Sequence, residues 1–273
     1  MKKRNPFQFK NFIIHQENVA LPVTTDACIF ASYISQKIQT YSENQSILDL
    51  GMGTGVLMFF LNQVLPNSRI LGIEKDAYSF ETAKRNLAEN HTLNLSILNN
   101  DFFDWGRSSD EQFDIIISNP PFFENQLESE NAQKRQARHF SKNGFSDFFQ
   151  LLNLKLTAQG NAWLMLPFIP NTQVNIHEEL NENIEHWGTF AEKNNLFIQS
   201  FVTLQSTALK KPHVVFIHLI KSEINNSNVS PIIQEYLPNI QLDQLIVYQK
   251  NRQYTKECFD LLNPFYKFDI FGG

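Results

Sequence analysis

One short apolar run that breaks into glycines constrains this chain more than any other feature. Ser46-Ile47-Leu48-Asp49-Leu50 has the length and composition of a buried strand, and Gly51-Met52-Gly53-Thr54-Gly55 follows it at once, leading into the helical pattern Val56 to Val64. Strand, glycine turn and helix in succession form the first half of a parallel βαβ unit. Glycines let the backbone turn tightly and approach a ligand at the helix N-terminus. A dinucleotide fingerprint requires G-x-G-x-x-G. The spacing here is G-x-G-x-G, with Asp49 two residues before the first glycine. Taken alone, the pattern also suits a strand-to-helix turn that binds nothing.

Three further apolar runs end in groups that carry chemistry. Arg69-Ile70-Leu71-Gly72-Ile73-Glu74 ends in a carboxylate, roughly 20 residues beyond the glycines, where a doubly wound fold sets an acid on a ribose diol. Leu95-Ser96-Ile97-Leu98 runs into Asn99-Asn100-Asp101-Phe102, in which Asp101 can accept a hydrogen bond from an adenine amino group and Phe102 can cover a ring face. Phe113-Asp114-Ile115-Ile116-Ile117-Ser118 ends in Asn119-Pro120-Pro121-Phe122. That last turn suits chemistry on a planar nitrogen whose lone pair is delocalised into a ring or carbonyl. The Asn119 side-chain oxygen and the Pro120 carbonyl can accept its two N–H bonds and localise the lone pair, while Phe122 stacks on the ring. A rigid turn with two prolines is the plainer alternative, and each acid alone is more often a solvated strand end. Four strand ends carrying such groups in this order argue otherwise, because ligands of open α/β sheets bind at the carboxyl ends of the strands.

The alternation of strands and helices between residues 46 and 167 predicts parallel βαβ units, with helices over Ala27 to Gln39, Val56 to Val64, Ala77 to Asn90 and Phe145 to Leu156. Thr25-Asp26 is placed to cap the first helix, and Gly160 to turn the last into a strand Asn161 to Leu166. Residues 196–205 and 213–221 read as a final strand pair, Ile246 to Tyr248 as a short strand and Tyr254 to Leu262 as a helix. Residues 123–144 and 222–240 read as polar insertions. The chain is expected to be one domain over 1–273, with an N-terminal segment 1–45, a core 46–221 and a C-terminal extension 222–273.

Composition narrows the function classes. No run approaches the ~18 apolar residues of a membrane span, and no continuous apolar stretch follows the basic start to make a signal peptide. Cys28 and Cys258 have no metal-type spacing and read as reduced core thiols. The expectation is a cytoplasmic monomer without metal. A net charge of −5 does not favour nucleic acid globally, although a basic footprint need only be local. Three local clusters exist: Lys2, Lys3, Arg4 and Lys10; Lys134, Arg135, Arg138, His139 and Lys142; and Lys210, Lys211 and His213. The middle one leaves the Asn-Pro-Pro-Phe turn and is the best candidate for holding phosphates.

The glycine turn, with its preceding aspartate, is similar to the nucleoside-binding loop of class I S-adenosylmethionine methyltransferases. More specifically, the chain resembles the bacterial tRNA adenine-N6 methyltransferases that modify the adenosine next to the anticodon of a valine tRNA. The likeness runs through Arg4 to Phe12, Val23-Thr24-Thr25-Asp26, Ser118 to Phe123, Gln136-Ala137-Arg138-His139, Lys211-Pro212-His213-Val214-Val215, and Tyr254-Thr255 with Pro264-Phe265-Tyr266. Thr24 stands where that family usually has glycine, and would be strained if the position needed a positive φ. The resemblance implies a Rossmann-like α/β fold with a seven-stranded, mostly parallel sheet, helices on both faces and the last strand antiparallel.

It implies S-adenosylmethionine bound by Asp49, Gly51, Gly53, Gly55, Glu74, Asp101 and Phe102. Methylation of the N6 amine of adenosine 37 falls to Asn119, Pro120, Pro121 and Phe122. The anticodon loop of the tRNA is expected to meet Phe123, Lys134, Arg135, Arg138, His139, Lys211 and His213. Three rivals share parts of this pattern: an RNA guanine-N2 methyltransferase, a protein glutamine-N5 methyltransferase and a non-catalytic RNA-binding protein. The first two commonly carry an extra N-terminal domain, and about 45 residues are too few for one.

Overall fold

The computed structural model describes residues 4–42, 44–120, 144–221 and 239–268. A hairpin of β1 (Phe7–Gln8) and β2 (Ile13–Ile14) leads to α1 (Thr25–Ile38). Strands and helices then alternate: β3 (Ser46–Leu50), α2 (Val56–Val64), β4 (Arg69–Glu74), α3 (Ala77–Glu89), β5 (Leu95–Asn99), α4 (Phe102–Ser108), β6 (Phe113–Ser118), α5 (Gly144–Lys155), β7 (Leu156–Pro167) and α6 (Ile176–Glu192). The strands β8 (Leu196–Thr207), β9 (Val214–Lys221) and β10 (Gln241–Tyr248) follow, and α7 (Lys256–Leu262) comes last.

The large sheet has the order β10-β8-β9-β7-β6-β3-β4-β5. Only β9 runs antiparallel to its neighbours. Its central strands are buried on both faces, so successive residues feed two separate cores. Ile115 and Ile117 of β6 join the core beneath α1 and α2, whereas Phe113 and Ile116 join the one beneath α4, α5 and α6. From β3 the chain winds outward to β4 and β5 and then returns to β6 on the other side of β3. The switch point of the sheet therefore lies between the carboxyl ends of β3 and β6, where open α/β folds bind ligands.

The sheet has eight strands rather than seven. The extra one is β10, which is longer than the three-residue strand expected and pairs in parallel with β8, covering an edge that would otherwise offer unpaired backbone groups. The aromatic start of the chain is core rather than surface. Phe9 and Phe12 are buried, with ring centroids 5.1 and 5.5 Å from Phe60 of α2, and each contributes roughly 1.5–3 kcal/mol of burial. Gly160 lies inside β7 and not at the end of a helix, because α5 stops at Lys155. The pairing of β6 with β7 shifts register between Phe113 and Ile115, and a Cβ on Gly160 would sit 2.9 Å from the Phe113 carbonyl oxygen. Cys28 and Cys258 are both free and buried. Among the described residues no helix is long and apolar enough to cross a membrane.

The cap of α1 is Thr24, one residue before the expected pair. Its backbone is extended (φ −115°, ψ 157°) and its hydroxyl accepts from the Ala27 N–H at 3.1 Å. No positive φ is needed, so a β-branched residue is unstrained there and gains a cap that glycine lacks. Thr24→Ala is accordingly expected to lower the stability in urea denaturation by about 1 kcal/mol, and Thr24→Gly by only a few tenths. Equal losses for the two would show that the hydroxyl does not cap the helix.

Candidate active site

The glycine turn leaves β3 at the switch point. Gly51, Gly53 and Gly55 all have positive φ (73°, 56° and 80°), a conformation that residues with a Cβ rarely adopt. A Cβ on Gly53 would find nothing within 4 Å, so the turn faces open space. The neighbouring strand holds the turn in shape. The Gly51 and Met52 N–H groups donate to the Ile73 carbonyl at 2.9 and 3.1 Å, and the Gly53 N–H donates to Glu74 Oε2 at 2.9 Å. The other Glu74 oxygen accepts from the Asp76 N–H at 2.7 Å. Burial pushes the Glu74 carboxyl above its usual range, and the N–H groups of Asp76 and Gly53 hold it back.

Asp49 is the anomaly of the site. Its residue is fully buried, and neither carboxylate oxygen has a hydrogen-bond partner among the described residues. Burial raises its pKa well above the ordinary carboxylate value, and the nearby Glu74 charge raises it further. Buried polar groups are normally satisfied, and an unpaired buried carboxylate is costly. A cationic group entering the open space before the glycines would relieve both the desolvation and the repulsion from Glu74.

Asp101 is already engaged. It caps α4 through the Phe103 N–H at 2.8 Å and pairs with Lys75 Nζ at 2.9 Å. Burial works to raise its pKa, but Lys75 and the Phe103 N–H together bring it below the usual value. Phe102 is half-buried and packs on Phe103, with centroids 4.6 Å apart.

On the other side of the switch point, Asn119 is half-buried and Pro120 buried at the end of β6. The preceding residue, Ser118, is buried, and its hydroxyl donates to the Leu50 carbonyl at 2.6 Å. This bond ties the root of the asparagine turn to the root of the glycine turn. Pro121, Phe122, Phe123, Lys134, Arg135, Arg138 and His139 lie outside the described residues.

Lys211 and His213 stand at the same edge of the sheet, just before β9, and both face acids of this chain. Lys211 Nζ lies 2.9 and 3.2 Å from the oxygens of Glu179, which is fully buried and also accepts from the Asn171 N–H at 2.6 Å. His213 Nε2 is 2.9 Å from Asp26 Oδ2 in the first turn of α1. Sequence reasoning missed Ser118 and Lys75. Ser118 had a signal, being the one hydroxyl at the end of an isoleucine strand. Lys75 had none, because its partner is 26 residues away in sequence.

The raised pKa values of Asp49 and Glu74 fix the sign of a pH effect. Between the unfolded and folded pKa values the folded chain holds more protons, so stability falls as pH rises from the ordinary carboxylate range through the raised values. Asp49→Asn should remove most of that slope and raise the melting temperature of the ligand-free protein near neutrality, while abolishing affinity for a cationic ligand. Melting curves across pH for both proteins check this, and an unchanged slope in the variant would contradict it.

Comparisons with known proteins place the chain in a family. The methyltransferase small domain family matches residues 29–199. The tRNA1(Val) (adenine(37)-N6)-methyltransferase of Cytophaga hutchinsonii is 27% identical over 268 residues, spanning 95% of this chain and 97% of the relative. The protein of the same name from Pedobacter heparinus is 31% identical over 165 residues, spanning 60% of this chain and 68% of its own. Among solved structures, a predicted O-methyltransferase from Agrobacterium tumefaciens superposes with a TM-score of 0.55 at 16% identity, covering 87% of this chain and 95% of that one. That likeness concerns the fold alone. The chain belongs to the methyltransferase small domain family and, within it, to the tRNA1(Val) (adenine(37)-N6)-methyltransferases.

Proposed function

We propose that the two turns at the switch point divide the work of an S-adenosylmethionine-dependent tRNA methyltransferase acting on N6 of adenosine 37 in valine tRNA. The observation that carries this division is the buried, partnerless carboxylate of Asp49 at the root of an open glycine turn, one strand away from Asn119. S-adenosylmethionine supplies an electrophilic methyl group on a sulfonium centre, and it brings an ammonium, a ribose diol and an adenine for the protein to hold. Asp49 meets the cationic end, Gly51, Gly53 and Gly55 leave room for the amino-acid portion, and Glu74 reaches the ribose. Glu74 keeps the turn in shape with the same carboxylate, so its two roles share one group. Asp101 and Phe102 flank the adenine. Asp101, already bonded to Lys75 and the Phe103 N–H, has remaining acceptor capacity for one more donor.

The target adenine must leave its stack to reach this edge, which an anticodon loop makes easier than a duplex. Asn119 Oδ1 and the Pro120 carbonyl accept the two N–H bonds of the exocyclic amine, turning its lone pair toward the methyl carbon. Phe122 stacks on the base, a contact worth roughly 1–3 kcal/mol. The nitrogen–carbon bond forms as the carbon–sulfur bond breaks. The proton then leaves the methylated, now acidic amine for water, so no strong base is required. Lys134, Arg135, Arg138 and His139 supply the charge that an acidic protein needs for RNA, and Phe123, Lys211 and His213 contribute further contacts to it.

Labelled S-adenosylmethionine and total tRNA from a strain lacking this gene, followed by nucleoside mass spectrometry, test the reading. N6-methyladenosine is expected, with Asn119→Ala reducing it at least 100-fold at unchanged donor affinity. N2-methylguanosine, or full activity in the variant, would contradict it. Arg138→Ala is expected to weaken tRNA binding and to lower the slope of log affinity against log salt by about 1, and normal affinity would remove Arg138 from the RNA interface.

A further inference from the structure

The polar face of α3 reads the backbone of the segment that precedes α1. Three of its side chains, at positions 79, 82 and 86, and that of its C-cap at position 90 follow helical spacing and so line one stripe. Ser79 Oγ accepts from the Ala20 N–H at 3.3 Å, and the Thr82 hydroxyl donates to the Glu17 carbonyl at 3.1 Å. Asn86 accepts from the His15 N–H at 2.8 Å and donates to the His15 carbonyl at 3.1 Å. Asn90 does the same for Ile13, at 2.9 and 2.8 Å. The two carboxamides thus act as a neighbouring strand on the edge of residues 13–15 that β1 does not cover, and the segment runs antiparallel to the helix as a strap.

Asn86 does one thing the others do not. It is fully buried, and its amide also donates to the Thr54 carbonyl at 3.0 Å, inside the glycine turn. A carboxamide carries two donors and one acceptor oxygen, and both donors and the oxygen are used here. β4 fixes the first half of the turn through the bonds made by Ile73 and Glu74. The Asn86 bond holds the second half, next to Gly55 and the start of α2.

We infer that Asn86 is a positioning residue for the methyl donor: a single buried amide that sets the Thr54–Gly55 part of the turn against the strap at His15, so that donor affinity is coupled to docking of the strap at that one link and not at Ile13. The inference rests on the donor assignment above. Because coupling between binding and docking is reciprocal, donor-site occupancy must in turn tighten the strap.

Calorimetric titration with S-adenosylhomocysteine separates the possibilities, with circular dichroism confirming that each protein is folded. Asn86→Ala is expected to bind at least tenfold more weakly than the native chain. Asn90→Ala, which loses two strap bonds but none to the turn, is expected to stay within about threefold. Equal affinity losses in the two variants would reduce Asn86 to a structural role and overturn the inference, as would native affinity in Asn86→Ala. A second measurement needs no variant: saturating S-adenosylhomocysteine should slow hydrogen exchange at the His15 amide severalfold, and unchanged exchange there would overturn the coupling. Failure of the native chain to bind S-adenosylhomocysteine would instead remove the donor assignment, and this inference with it.

Discussion

Methyl transfer between two bound molecules requires that their binding turns be held a fixed distance apart, and with the proposed roles of the glycine and asparagine turns that constraint comes down to two adjacent strand ends. β3 and β6 are neighbours in register, and the buried Ser118 hydroxyl bonds to the Leu50 carbonyl one residue before each turn begins. A one-residue slip of either strand would break this bond, and a slip of β3 would also move Asp49 to the opposite face of the sheet. The remainder of the sheet keeps that register. Isoleucines on both faces of β6 are buried in two independent cores, so a slip would disturb both at once.

Polar groups at this edge fall into two kinds. Glu74, Ser118 and Asn86 have their hydrogen bonds made to backbone groups of the protein and determine where those atoms lie, while Lys75 engages the Asp101 carboxylate. Asp49 keeps a buried carboxyl with no partner among the described residues, whose ionisation destabilises the ligand-free fold and which a cationic ligand would relieve. Stability is therefore lower at the site itself than the surrounding core would give, a familiar trade at binding sites. The outer rim is of the first kind as well. Lys211 compensates the buried Glu179, and His213 joins β9 to the start of α1, so any contact these two make with RNA is made by groups already bonded to acids of this chain.

The sequence was most readable where one residue type has one physical reason to be present. Strands buried on both faces give continuous apolar runs, and a parallel sheet puts the residues after those runs at one edge, so Asp49, Glu74, Asp101 and Asn119 could be picked out together. The limits of the five helices expected fell within about two residues of the observed ones, whereas α4 and α6 had not been singled out. Features that depend on distant partners were not readable. Thr24 and Thr25-Asp26 are equally good caps on paper, and only the backbone angles choose Thr24. Phe9 and Phe12 look like a basic, aromatic RNA-binding start until α2 is seen beneath them. Gly160 resembles a helix stop because the register shift that excludes a Cβ lies on another strand. Asn86 bonds a residue 71 positions away, and nothing local in the sequence distinguishes it from a surface asparagine.

Recognition of an exocyclic amine on adenine at one position is the central claim, and single-turnover transfer to synthetic anticodon stem-loops of valine tRNA tests it most directly. Paired substrates would differ only at nucleotide 37, carrying adenosine in one and guanosine in the other, with labelled S-adenosylmethionine as donor. The account predicts label on the adenosine substrate, recovered as N6-methyladenosine, and none above background on the guanosine one. Equal labelling of both, or label on a nucleotide other than 37, would contradict it.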